Sequence, residues 1–99
     1  MWVWNVAAGP WGVESMNTNR NISGHRIQAA RAMHDPKLSQ DDLIAILHTR
    51  YGIVLSINAL SRIENDQRYV TDKELLAFSK ALKVSIAWLL GQTSDPTPR

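Results

Sequence analysis

With 99 residues, 44% of them hydrophobic and 20% charged, the chain has room for one small globular domain and lacks the composition of a disordered polypeptide. A formal net charge of +2 is too weak a basic bias to bind nucleic acid through charge alone, so the distribution of charge must matter more than its sum. The absence of cysteine removes disulfides and thiolate metal sites and makes an intracellular, cytoplasmic setting the default, while no apolar run reaches the roughly twenty residues of a membrane-spanning helix.

The first fifteen residues, MWVWNVAAGPWGVES, hold three of the four tryptophans and neither Lys nor Arg. They have neither the basic start nor the long apolar stretch of a signal peptide. Their composition predicts an N-terminal arm over residues 1–22, disordered or an extension ahead of a translation start at Met16. The second reading rests on Trp11-Gly12, which needs G-rich codons where a ribosome-binding site would lie. If retained, the tryptophans make a sticky arm that packs on this domain or on a dimer mate.

Ser23 is the expected cap of a first helix over 24–34, with Ile27, Ala30 and His34 on one face and Met33 beside them. Asp35-Pro36 ends it, because the residue before proline is pushed out of the helical region. Ser39 caps a second helix over 40–51, and Ser39-x-x-Asp42 is a short-carboxylate capping box. Leu43, Ile44, Ile46 and Leu47 form its buried side, and Gly52 turns the chain in a left-handed conformation.

Ile53, Val54 and Leu55 bridge to a third helix over 57–64 that Ser56 caps. Ile57, Leu60 and Ile63 make its apolar stripe, and Asn58, Ser61 and Arg62 lie off it. Asn65-Asp66 tolerates a left-handed turn. Thr71-x-x-Glu74 is a full capping box for a fourth helix over 72–83, with Leu75, Phe78 and Leu82 on one face. Ser85 caps a fifth over 86–90 that Gly91 closes, and QTSDPTPR is a polar, disordered tail over 92–99. Five short helices without a strand predict an all-α orthogonal bundle. Its periodic part, about seventy residues, folds alone only marginally, so a dimer partner would help.

Leu38-Ser39-Gln40, an acidic-plus-leucine turn, and then Ser56-x-x-x-Leu60-Ser61-Arg62-Ile63-Glu64-Asn65 form a specific string. It resembles the helix-turn-helix of the XRE family, the Cro/C1-type, phage-repressor-like proteins, and the resemblance covers residues 23–91. It implies a compact five-helix lambda-repressor-like DNA-binding domain with flexible N- and C-terminal arms. Its function would be a transcriptional regulator, in particular a repressor, that needs no cofactor or metal and works as a homodimer on an inverted-repeat operator in double-stranded DNA.

The positions that match the family's groove-facing ones are Ile57, Asn58, Ser61 and Arg62. Arg62 is the first choice for base readout, since a guanidinium pairs bidentately with guanine O6 and N7. Asn58 reads adenine or holds a phosphate; Ser61 is ambiguous; Ile57 stands evenly between a thymine-methyl contact and the core. Gln40, in the first turn of the second helix, matches a clamp on the DNA backbone, with a solvated polar residue as the plain alternative. Arg68, Arg50 and Lys37 are candidate phosphate contacts from flanking segments, although a single surface charge is more often merely solvated. Arg31 and Glu64 match a buried structural ion pair, against the alternative of two solvated charges. Ile86, Trp88 and Leu90 are candidate dimer contacts, and Leu89 is at least as well explained by closure of the core.

One departure from the family pattern is plain. Between Gln40 and Ser56 the chain is several residues longer than the tight family turn, which predicts an extra helical turn ending at Tyr51-Gly52. Arg50 and Tyr51 then become either new DNA contacts or part of a dimer surface. Enzymatic readings lack support: His25, His34 and His48 have no metal-ligand spacing, and HExxH, Gly-rich phosphate loops and GxSxG are missing. The rival function is a protein-interaction module of the same fold, an antitoxin or anti-repressor partner, which the modest charge and the tryptophan-rich arm favour.

Overall fold

Side-chain caps divide residues 20–98, the part described by the computed structural model, into five helices. They are α1 (Gly24–Met33), α2 (Gln40–Tyr51), α3 (Ile57–Glu64), α4 (Asp72–Leu82) and α5 (Ile86–Leu89), and no strand occurs among the described residues. The all-α, five-helix expectation is thus met. Residues 1–19, and with them the tryptophan arm and the Met16 start, lie outside the described residues.

The caps show why helices begin where they do. Ser39 Oγ accepts the Asp42 N–H at 3.0 Å while the Asp42 carboxylate accepts the Ser39 N–H at 3.0 Å. Hydrogen bonds from the Ser39 backbone and then its side chain hold the Asp42 carboxyl below the ordinary carboxylate range. Thr71 and Glu74 reciprocate in the same way at the start of α4, and Ser56 and Ser85 each accept one N–H from the first turns of α3 and α5.

The expected cap of α1 is corrected. Ser23 is buried and its side chain makes no capping bond. Asn21 does that work: its Oδ1 accepts the N–H groups of Ser23 and Gly24 at 3.1 and 2.7 Å, and its Nδ2 donates to the carbonyls of Ile63 and Arg68 at 3.1 and 2.7 Å. One asparagine therefore starts α1 and ties it to the end of α3. Three helices stop one residue earlier than expected. His34 is extended, Lys83 is left-handed with φ 59°, and Leu90, with φ −89° and ψ 2°, departs from the helix. At Lys83 the Val84 N–H reaches back to the Ser79 carbonyl at 3.1 Å, a Schellman-type end that satisfies an orphan acceptor.

The core takes Ile27 and Ala30 from α1, Leu43 and Leu47 from α2, Leu60 and Ile63 from α3, Ala77, Phe78, Ala81 and Leu82 from α4, and Trp88 and Leu89 from α5. Ile44 and Ile46, expected on the buried side of α2, are only half-buried and pack at its margin. Met33 is exposed rather than beside the core. Residues 92–98, expected to be a disordered tail, fold back: the Ser85 N–H donates to the Pro96 carbonyl at 2.9 Å.

Candidate nucleic-acid interface

α3 is held in place from its inner side. Leu60 and Ile63 are fully buried, and Glu64, one position on, is buried as well. A buried carboxylate needs partners, and it has three donors. Arg31 grips it bidentately, Nε to Oε2 at 3.0 Å and Nη2 to Oε1 at 3.1 Å, and Gln40 Nε2 donates to Oε1 at 3.1 Å. The Arg31 and Glu64 side chains are 13% and 4% exposed, so this pair is shielded from water and salt. Arg31 Nη1 donates in addition to the Leu38 carbonyl at 3.0 Å, which pins the chain entering α2. The Arg31 and Glu64 side chains thus join α1, α2 and α3 at one point.

The C-terminal end of α3 is closed by a second knot. Asp66 takes the left-handed conformation with φ 62°, and the N–H groups of Asp66 and Gln67 return to the carbonyls of Ile63 and Arg62 at 3.1 and 2.7 Å. Of the Asn65-Asp66 pair, Asp66 alone is left-handed. Its Oδ2 lies 3.1 Å from His25 Nε2. Gly24 passes so close that a Cβ there would collide with the Ile63 carbonyl oxygen and Asp66 Oδ1, which is the reason for glycine at this position.

The outer side of α3 is free. Ile57 is 46% exposed, which decides between its two readings in favour of the surface. Asn58 and Arg62 are exposed, and their side chains have no partner among the described residues. Ser61 is half-buried and accepts a hydrogen bond from Gln40 Nε2 at 3.2 Å, so its hydroxyl belongs partly to the scaffold. Asn65, which the sequence reading left out of the site, is exposed one turn beyond Ser61 and donates to its carbonyl at 2.8 Å.

The arginines sort themselves. Arg20 and Arg26 lie over the rings of Tyr69 and Trp88 at 5.6 and 5.2 Å, and Arg31 and Arg68 hold Glu64 and Glu74. Arg50 and Arg62 are the two without a partner among the described residues, and Arg62 is the one on α3. Arg68, expected as a loop cation for phosphate, is engaged within the domain: Nη1 and Nη2 grip the two Glu74 oxygens at 3.0 and 3.1 Å, which offsets its charge and fixes the turn before α4. Burial alone would raise the Glu74 carboxyl, but Arg68 and the Thr71 hydrogen bonds outweigh it and hold the group below its ordinary value.

Gln40 sits at the first helical position of α2, yet its side-chain N–H groups point to Ser61 and Glu64. The N–H groups of Gln40 and Asp41 precede the first intrahelical bond, that of Leu43 to Ser39, and form the positive end of the helix. Lys37 is exposed just ahead of this end. Arg50 is exposed ten residues further along α2, about 15 Å by helical rise. Tyr51 is half-buried beside α4. Trp88, expected as a dimer contact, is corrected to a core residue, 9% exposed and covered by Arg26, whose Nη1 also donates to the Trp88 carbonyl at 3.1 Å. Ile86 and Leu90 are half-buried.

The model of a family described as helix-turn-helix matches residues 37–89. Among solved structures, the crystal structure of the P22 c2 repressor with a synthetic operator in the presence of Tl+ is 30% identical, with a TM-score of 0.57 over 74% of this chain and 98% of that one. The solution structure of the DNA-binding domain of the P22 c2 repressor is 31% identical, with a TM-score of 0.54 over 77% of this chain and 95% of that one. None of the curated proteins matches.

Proposed function

Because the chain belongs to the helix-turn-helix family of XRE, phage-repressor-like type and is a DNA-binding transcription regulator of repressor type, we propose that α3 enters the major groove of a specific operator. The observation that carries this reading is the free outer face of α3. Arg62 is unpartnered there while Arg20, Arg26, Arg31 and Arg68 are all engaged inside the domain.

Arg62 reads guanine through O6 and N7, and Asn58 reads adenine or holds a neighbouring phosphate. Ile57 sets its exposed side chain against a thymine methyl, and Ser61 contributes at the edge of the contact. A phosphate is held by the free N–H groups at the start of α2, which Gln40 orients through Ser61 and Glu64, with Lys37 beside it. A two-fold dimer sets two such helices about 34–36 Å apart on an inverted repeat, with Leu90 at its contact. The protein acts in the cytoplasm, without cofactor.

Selection of bound sequences from pooled random duplex DNA tests the reading. An inverted repeat that loses one base preference in the Arg62→Ala variant supports it. No enrichment at low salt, where phosphate contacts are strongest, would instead make the chain a protein-interaction module of the same fold.

A further inference from the structure

Away from the DNA-reading face lies an apolar groove of about 800 Å³. Tyr51, Leu76, Ile86 and Ala87 form its apolar wall, Lys80 and Lys83 its rim, and Thr93 and Pro98 of the returning tail close one side. Tyr51 is there because α2 extends to Gly52, so the lengthened α2 helps to build the groove. Leu76 is 46% exposed, and both lysines are exposed with no acidic partner among the described residues. Such a surface presents apolar area and uncompensated positive charge together.

We propose that residues 2–11 of this same chain dock in this groove through their tryptophans. Residues 1–19 contain Trp2, Trp4 and Trp11, no Lys or Arg, and Glu14 as their one charged side chain. That chemistry complements the groove. Indole rings fill an apolar cleft and offer their negative faces to ammonium groups on its rim. The domain already uses this contact twice, at Arg20 over Tyr69 and at Arg26 over Trp88.

Tether length permits it. The Arg20 N–H donates to the Asp66 carbonyl at 2.6 Å, and its side chain lies on Tyr69, three residues before α4. The groove runs along α4 from Leu76 to Lys83, which is about 6 to 17 Å along the axis from the start of that helix. Nine residues separate Trp11 from Arg20 and sixteen separate Trp4, so their reach is about 30 and 53 Å. In this arrangement Ile86 lies under the arm and Leu90 remains for a partner subunit.

The full chain has no cysteine, so a single introduced pair reports one contact. The groove pair is Val6→Cys with Ala87→Cys, which leaves both rim lysines in place, and the control pair is Val6→Cys with Ala29→Cys, on the exposed side of α1. Under mild oxidation at low protein concentration, the groove pair should close within one chain at least about tenfold faster than the control, the excess of docking over mere tethering. Changing Trp2, Trp4 and Trp11 together to Ser should bring the two rates together. Equal rates in the parent would overturn the proposal, as would cross-links found mainly at dimer mass. If Leu76→Asp turns a sedimenting dimer into monomer without changing the groove-pair rate, the groove belongs to a second copy and the proposal fails.

Discussion

The two sides of α3 are built on opposite principles. On its inner side the helix is gripped by polar partners: Glu64 by Arg31 and Gln40, the carbonyls of Ile63 and Arg62 by Asn21, Asp66 and Gln67. On its outer side Asn58 and Arg62 are answered by nothing among the described residues. The difference separates the cost of holding the helix from the capacity to read. A side chain that must contact a base has to be free of internal partners, and it can be free because the opposite face fixes the helix without it.

That contrast can be broken most severely at Arg31. Arg31→Ala strands the Glu64 carboxylate in a buried site, a loss of about 3–5 kcal/mol. For a domain of this size the melting temperature should fall by at least about 12 °C, readable by circular dichroism. A variant that melts with the parent would show that the pair is not holding α3.

Gly24→Ala attacks the other knot. The added methyl must push aside the Ile63 backbone carbonyl and Asp66, and overpacking of this kind costs about 1–3 kcal/mol. Because the obstacle includes backbone, relaxation is limited, and the upper end of that range is the expectation. Thermal or urea unfolding measures it, and an unchanged midpoint would mean that the two helices separate freely at that end.

Arg62→Ala tests the outer face by contrast. The melting temperature should stay within about 2–4 °C of the parent, since exposed substitutions usually change stability by less than about 0.5 kcal/mol. Discrimination at one base pair should drop by about 1–3 kcal/mol in competition binding. A large loss of stability would show that the two faces are not independent.

How much of this was legible in the sequence follows from which signals are local. The caps at Ser39, Ser56, Thr71 and Ser85 were readable, because each bond spans three residues and depends on little else. The Asn21 cap was not, since what distinguishes Asn21 from Ser23 is the distant pair of carbonyls, Ile63 and Arg68, that its amide reaches. Gly24 was passed over for the same reason. Arg31 and Glu64 came through family resemblance, and spacing alone would not have paired residues so far apart in the chain. The engagement of Arg68 and Trp88 was not legible, because a charge or an indole looks available until its neighbour is known, and Glu74 and Arg26 are those neighbours. The outward face of α3 was legible in Asn58 and Arg62, whereas Ile57 needed the structure to settle its side.

Arg68 and Glu74 offer the mildest test, and one that pH resolves. This pair repeats the Arg31–Glu64 geometry at a wetter place, with Arg68 31% exposed, so it should contribute about 1 kcal/mol or less. The Glu74 carboxyl is held below its ordinary value of 4.5 in the folded protein. Its ionised form therefore favours the folded state, and that contribution is complete above the unfolded value and declines as pH falls from there through the lowered folded value. Glu74→Gln removes it. The gap in melting temperature between parent and variant should be constant from neutral pH down to about 5 and should close below 4.5. If the gap persisted undiminished in that acid range, the difference between the two side chains would not come from the charge shared with Arg68.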